Sequence, residues 1–233
     1  MTILNKAMNM PGVRVNRENY LRINLSKYVP DEQVEKAIET TPAKAGIDNQ
    51  VLKSLAKAAV VFHKRTVSGL SFLSGLPGGP IQFGAIPADL IQFIWHTLVI
   101  SQKLAYLYGW PQIISMEQSI DDDTLNIMTL FLGVMFGQSL AGEGIRKLSI
   151  HMSRQVAVKL PRKALTRYGV YNLTKKVSKY LGIRLTKKSF ARVASRFVPI
   201  IGGLASGGIT WFMFSKMAGR LESHLEQLPL ATN

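Results

Sequence analysis

The sequence predicts an all-α protein, a compact helical bundle whose central helices are rich in glycine and tightly packed. Apolar residues recur at helical spacing, and no segment shows the period-two alternation of a half-buried strand. The 233 residues are 47% hydrophobic and 18% charged, which provides enough apolar material for a folded core. Glycine and proline interrupt the pattern where helices are expected to end.

The N-terminal part predicts a flexible segment followed by two helices. Residues 1–28 are polar and lack periodicity, so we expect them to be poorly ordered. A single helical domain is expected over 29–228, with a tail at 229–233. Its first helix starts at Asp31, as the capping residue, and ends near Thr40. Its second covers 48–74, with an apolar face formed by Val51, Leu55, Ala58, Ala59 and Phe62.

The middle of the chain predicts two more helices. The run GLPGGP at 75–80 is incompatible with regular helix, and a third helix follows it. Gly109 lies where a left-handed C-terminal cap is expected, and Pro111 prevents continuation. Three aspartates at 121–123 then form the acidic start of a fourth helix, expected over 124–142. A helix cap explains these aspartates better than a cation site does.

Basic residues are concentrated in the C-terminal half. The net charge is +15, yet residues 1–143 contain twelve basic and twelve acidic residues. Residues 144–221 contain the other seventeen Lys and Arg and no acidic residue. This segregation indicates an anionic partner, reached through amphipathic helices over 144–168 and 171–181. The candidate lipid- or anion-binding residues are Arg146, Lys147, Arg154, Lys159, Arg162, Lys163, Arg167, Lys175, Lys176, Lys179, Arg184, Lys187 and Lys188.

Two windows without a charged residue, 124–142 and 197–215, are each nineteen residues long. Roughly 20 apolar residues cross a bilayer core of about 30 Å, so both windows have nearly spanning length. Buried central helices of a soluble bundle have the same composition. Gly203 and Gly207 favour close helix packing in either setting. An inserted helical hairpin and a peripheral bundle therefore both stay open, each with its basic stretch on the cytoplasmic side.

A polar stripe crosses the otherwise apolar third helix. Gln82, Asp89, His96 and Lys103 recur every seven residues, so the helical members share one face. A water-exposed stripe and a buried polar seam both explain the pattern. A third interpretation is a membrane-bound hydrolase, with Asp89 and His96 as catalytic candidates and His63 beside them. No nucleophile elbow, phosphate loop or metal-ligand spacing accompanies the stripe, so we expect neither metal nor cofactor.

Several short motifs resemble those of the EcsC protein family. They are LSGLPGGP at 73–80, IPAD at 86–89, AYLYG at 105–109, VPIIGG at 198–203 and KMAG at 216–219. The resemblance covers residues 51–225 and implies an all-helical architecture with an association to ABC transporters or secretion. It implies no catalytic role for any residue. The family pattern marks Gly75, Pro87, Asp89, Tyr108, Gly109, Pro199 and Gly202.

These patterns predict a non-enzymatic bacterial protein of the EcsC type at the cytoplasmic face of the membrane. Its basic half is expected to bind anionic lipid, with a membrane protein as a further partner. Nucleic-acid binding is an alternative, because Tyr168, Tyr171, Tyr180 and Phe190 interleave with the charges and can stack on bases. That alternative is disfavoured, since no nucleic-acid module is recognisable and the uncharged windows go unexplained.

Overall fold

The computed structural model describes residues 3–74, 88–153, 170–184 and 204–232, which contain helices and no β-strand. One hydrophobic core includes residues from every helix of these ranges. The all-α bundle predicted from the sequence is confirmed. The helices are α1 Ile3–Met8, α2 Arg17–Leu25, α3 Asp31–Glu39, α4 Asn49–Ser74, α5 Ala88–Leu107, α6 Asp122–Met135, α7 Ser139–Ser153, α8 Tyr171–Arg184, α9 Leu204–Glu226 and α10 Pro229–Thr232.

Helices α4, α5 and α9 pack against one another in the centre of the molecule. Lys53 near the start of α4 contacts Glu226 at the end of α9. Lys64, eleven residues further along α4, lies over Trp211, which precedes Glu226 by fifteen residues on α9. The two helices are therefore antiparallel. Their shared core includes Phe214 of α9, which is fully buried.

The N-terminal residues are helical, and the expectation that they are poorly ordered is wrong for the described residues from 3 onward. Leu21 of α2 is completely buried. The buried Arg17 guanidinium donates hydrogen bonds to the carbonyl oxygens of Ala37 (3.0 Å), Ile38 (2.6 Å) and Thr40 (3.1 Å). These carbonyls belong to the end of α3, whose last C=O groups lack intrahelical partners. A single arginine thus fixes α2 to α3, although the segment is too short and polar to show a helical period.

Helices α3 and α4 begin within one residue of their predicted starts, but two details differ. Pro30 is the N-cap of α3, without a side-chain cap, and Asp31 is the first helical residue. On α4, the predicted apolar face is wrong at Ala58, which is exposed, and at Phe62, which is 62% exposed. The buried face is displaced around the helix because α4 packs between α5 and α9; its buried apolar residues are Leu52, Leu55, Ala56 and Val67.

The predicted left-handed cap of α5 is confirmed at Gly109, where φ is +86°. The Trp110 amide donates to the Ala105 carbonyl (3.0 Å), and the Gly109 amide donates to the Tyr106 carbonyl (3.3 Å). This pair of bonds defines a Schellman motif. The last helical carbonyls are thereby satisfied inside the core, where Trp110 is fully buried.

The helix expected over 124–142 is wrong, because α6 ends at Met135 in a second Schellman motif. Gly137 has φ +80°, and the Gln138 amide donates to the Gly133 carbonyl (2.8 Å). A new helix, α7, begins at Ser139. The predicted acidic cap of α6 is confirmed, since the Asp121 carboxylate accepts a hydrogen bond from the Thr124 amide (2.8 Å).

The first uncharged window is thus two helices joined by a tight turn, whereas the second window is described only from residue 204. Within the described parts of the chain, no helix combines the length and the apolarity that crossing a membrane demands.

Close glycine packing occurs where α6, α7 and α8 meet. A Cβ placed on Gly133 would lie 2.5 Å from the Cβ of Ala141 and 2.6 Å from Cγ1 of Val177, so only glycine fits. At Gly208 a Cβ would meet no atom within 4 Å. The tight packing is therefore found on α6 rather than at Gly208, which adjoins the Gly203 and Gly207 pair predicted from the sequence; Gly203 lies outside the described residues.

Candidate functional site

Two exposed aromatic side chains on α9 form a surface patch with lysines from two helices. Trp211 is 38% exposed and Phe212 is 52% exposed. Nζ of Lys64, on α4, lies 4.1 Å from the centroid of the Trp211 ring. Nζ of Lys216 lies 5.9 Å from the centroid of the Phe212 ring. We call these four residues the aromatic–lysine patch.

The patch follows from the amphipathic character of α9. Met213, Phe214 and Met217 lie on its buried side, which leaves Trp211 and Phe212 on the outer side. The surrounding sequence supplies only positive charge, because α4 has no acidic residue and α9 has none before Glu222. The patch therefore combines exposed aromatic rings with the ammonium groups of Lys64 and Lys216.

Helix α8 has a second basic surface, which we call the α8 basic face. Nζ of Lys175 lies 4.6 Å from the centroid of the exposed Tyr171 ring. Lys176 and Lys179 are also exposed, while Val177 on the opposite side is fully buried. None of the ion pairs found within the described ranges involves these three lysines. The sequence predicted all three as anion-binding residues.

The other predicted anion-binding residues are distributed differently. Arg146 is exposed on α7, and neighbouring Lys147 is engaged by Glu143, with Nζ 2.7 Å from Oε1. Arg184 is the last residue of α8. Seven further candidates lie outside the described residues, namely Arg154, Lys159, Arg162, Lys163, Arg167, Lys187 and Lys188.

The polar stripe of α5 is part of a buried hydrogen-bonded chain. Nδ1 of His63 lies 3.0 Å from Nδ1 of His96, and Nζ of Lys103 lies 3.0 Å from Nε2 of His63. Lys103 can only donate, so His63 accepts at Nε2 and carries its proton on Nδ1, which donates to His96. His63 is 2% exposed and His96 is 4% exposed. A water-exposed stripe is therefore the wrong interpretation at His96, and a buried polar seam is the correct one.

The electrostatics of this chain keep both imidazoles neutral. Burial, assisted by the charge of Lys103, lowers the pKa of His63 to about 3 and that of His96 to about 4. Burial also lowers the pKa of Lys103. A general base works best when its pKa lies near the working pH, so neither histidine is tuned for that role at neutral pH. Asp89 lies in the first turn of α5, but its side chain is outside the described residues.

Metal binding finds no geometric support in the described part of the molecule. No group of three or more His, Asp or Glu side chains there could hold an ion. The three aspartates at 121–123 instead supply the cap and first turn of α6.

Two of the residues that the EcsC pattern marks, Tyr108 and Gly109, make close contacts with the C-terminal part of the chain. The buried Tyr108 hydroxyl donates to Oε1 of Glu222 over 3.4 Å. A Cβ on Gly109 would lie 2.4 Å from the backbone oxygen of Leu230, so the C-terminal segment crosses this glycine at close range. Gly75, Pro87, Pro199 and Gly202 lie outside the described residues.

Comparisons with protein-family models, with curated proteins and with solved structures gave no match to this chain. The resemblance to the EcsC family therefore stays a prediction that rests on the short motifs.

Proposed function

We propose that the protein binds the anionic surface of a membrane peripherally, through the aromatic–lysine patch. The observation that carries this proposal is the exposure of Trp211 and Phe212 beside Lys64 and Lys216. Exposed aromatic clusters on a folded protein mark interaction surfaces. Trp is enriched at the membrane–water interface, where its ring enters the apolar boundary and its N–H stays in the polar region.

The electrostatic part of the binding comes from the lysines of the patch and of the α8 basic face. Each Lys or Arg close to an anionic leaflet contributes about 1 kcal/mol. This attraction decays over a Debye length of about 10 Å in 0.1 M salt, so binding is expected to weaken as salt is added. The aromatic rings supply a contribution that salt does not screen.

The EcsC resemblance extends the proposal to a partner. It associates this type of protein with ABC transporters or secretion, so the membrane-bound protein is proposed to meet a membrane protein there. The cytoplasmic leaflet is the proposed site, because it is the leaflet that carries anionic lipid.

Vesicle co-sedimentation tests the proposal. Vesicles of phosphatidylcholine are compared with vesicles that also contain phosphatidylglycerol, at low and at high salt. Binding to the anionic vesicles, reduced by salt, is expected. Equal binding to both kinds of vesicle at low salt would show that charge plays no part.

The double variant Trp211→Ala/Phe212→Ala tests the face itself. We expect at least about a tenfold loss of vesicle affinity, because two rings leave the interface and each aromatic buries a large apolar area. Tyr28→Ala is the matched control, since Tyr28 is 54% exposed and lies after α2. An equal loss in both variants, or none in either, contradicts the assignment of this face.

Nucleic-acid binding remains the competing function, because rings beside lysines also suit stacked bases and phosphates. A gel-shift assay at low salt separates the two. Retardation of single-stranded RNA or DNA that is lost in Trp211→Ala, without vesicle binding, would favour nucleic acid. The hydrolase alternative is not supported by the His63–His96 pair, whose lowered pKa values make both histidines poor general bases at neutral pH.

A further inference from the structure

A cleft of about 430 Å³ lies where α6 ends, α7 begins and α9 passes beside them. Two arginines line it, Arg146 on α7 and Arg220 on α9. His224 and the first residue of α7, Ser139, lie in the same wall. The two arginines are 74 positions apart in the sequence, so only the fold brings them together.

Arg220 is held in place by the turn between α6 and α7. Its Nη1 donates to the Met135 carbonyl over 3.3 Å, which satisfies one of the last carbonyls of α6. A Cβ on Gly137 would lie 3.2 Å from the same Nη1, so the guanidinium rests against this glycine. Arginine has five N–H donors, and those that do not reach Met135 are available to a ligand in the cleft.

The rest of the cleft adds positive potential and little negative charge. The N-terminus of α7 carries the positive end of its helix dipole. Among the described residues of the lining, Glu143 supplies the one carboxylate, and Lys147 engages it, with Oε1 2.7 Å from Nζ. Nε2 of His224 donates to the Gly142 carbonyl (3.1 Å), and burial, together with the charge of Arg146, lowers the pKa of this imidazole.

We propose that this cleft binds a phosphate group, held by the guanidinium groups of Arg146 and Arg220 beside the N-terminus of α7. Guanidinium groups match phosphate oxygens in charge and geometry, and helix N-termini are recurrent phosphate sites. The cleft is large enough for a phosphate with a small organic group attached. The inference rests on the proposed function only if the phosphate belongs to a lipid headgroup.

Calorimetric titration with inorganic phosphate and with glycerol 3-phosphate, at constant ionic strength, tests the site in solution. Arg146→Gln is expected to weaken binding about tenfold, because a charge-assisted hydrogen bond is lost. Arg146 is exposed, so its replacement leaves the core intact. Arg65→Gln on α4 is the matched control and is expected to bind like the wild type. Arg220→Lys is a second test that keeps the charge but removes the planar fork.

Vesicle binding identifies the source of the phosphate. Vesicles containing phosphatidic acid, whose headgroup is a phosphomonoester, are compared with vesicles of equal charge containing phosphatidylglycerol. A preference for phosphatidic acid that Arg146→Gln removes identifies a lipid headgroup. If calorimetry detects binding of the soluble phosphates but the vesicles show no preference for phosphatidic acid, the ligand is a soluble phosphate ester.

The proposal is overturned if Arg146→Gln and Arg65→Gln behave alike in both assays. Its failure can be told apart from failure of the proposed function by the Trp211→Ala/Phe212→Ala variant. That variant is expected to lose vesicle binding while its calorimetric binding of inorganic phosphate is unchanged.

Discussion

The two ends of the antiparallel α4–α9 pair differ in chemistry. At the first, which we call the closed end, Nζ of Lys53 lies 2.7 Å from Oε1 of Glu226. At the second, the open end, Lys64 lies over the Trp211 ring, and Phe212 is exposed beside it. Lys53 and Lys64 are eleven positions apart on one helix, or about 16 Å by helical rise. The same residue type therefore meets a carboxylate at one end and an exposed ring at the other.

This difference separates stability from binding. The polar groups of the closed end are matched within the protein: Lys53 and Asn49 bond to Glu226 and lower its pKa. Burial raises the pKa of the nearby Glu222, which accepts from Tyr108. The open end keeps aromatic rings and ammonium groups at the surface, where we propose that they contact an anionic membrane. Changes at the closed end are expected to alter unfolding, and changes at the open end to alter vesicle binding.

The largest expected effect distinguishes the inner and outer sides of α9 at the open end. Phe214→Ala removes a fully buried ring that packs edge-on against Phe93, with centroids 6.1 Å apart. We expect a loss of about 3–5 kcal/mol in the free energy of unfolding, measured by urea denaturation. Phe212→Ala, two residues away, is expected to change that free energy by less than about 0.5 kcal/mol. Similar losses in the two variants would show that Phe212 is a core residue.

Gly109→Ala tests the closed end, with the next largest effect. A left-handed backbone costs a non-glycine residue roughly 1–2 kcal/mol, and the new Cβ would also displace the Leu230 backbone. We expect a total loss of about 3 kcal/mol by urea denaturation, with vesicle binding by the folded protein retained. Gly219→Ala is the control, because its Cβ would meet no atom within 4 Å and α9 should gain about 0.5–1 kcal/mol. If Gly109→Ala left the free energy of unfolding unchanged, the close crossing of the C-terminal segment over Gly109 would be contradicted.

Local features of the fold could be predicted from the sequence, and features that depend on distant contacts could not. The bounds of α4 and the cap at Gly109 follow from signals within a few residues. The break at Gly137 was missed because the flanking residues continue the apolar helical pattern. Helix α2 was missed because its order depends on Arg17 reaching the end of α3, more than twenty residues away.

The candidate site shows the same limit. Counting charges located the α8 basic face, since its three lysines lie within five residues of one helix. The aromatic–lysine patch was not predicted, because Lys64 lies in the neutral half of the sequence and its partner Trp211 lies in an uncharged window. The adjacent Trp and Phe, followed by Lys216, were the available signal. The stripe on α5 included His96 and Lys103, and His63 was named beside it. The contacts of His63 with both residues depend on how α4 packs against α5, which no local pattern shows.

Acidification tests the buried hydrogen-bonded chain of Lys103, His63 and His96, which lies between α4 and α5. The unfolded histidines bind protons near pH 6.5, whereas His63 and His96 resist protonation until about pH 3 and 4. The unfolded state therefore binds more protons between these values, and stability falls as the pH drops below 6.5. We expect each histidine to contribute a loss of about 2 kcal/mol between pH 7 and pH 5. His63→Gln should make the pH dependence shallower in urea denaturation; an unchanged slope would contradict the neutral, buried chain.

The smallest expected effect compares the two lysines directly. Lys53→Gln removes a partly exposed ion pair and is expected to lower the free energy of unfolding by about 0.5 kcal/mol. It is expected to leave anionic vesicle binding unchanged, because the ammonium group is already neutralised by Glu226. Lys64→Gln is the reciprocal variant: its unfolding should change little, and its vesicle affinity should fall several-fold through the loss of one near-surface charge. If both variants weaken vesicle binding equally, binding follows net charge alone and the two ends do not differ in function.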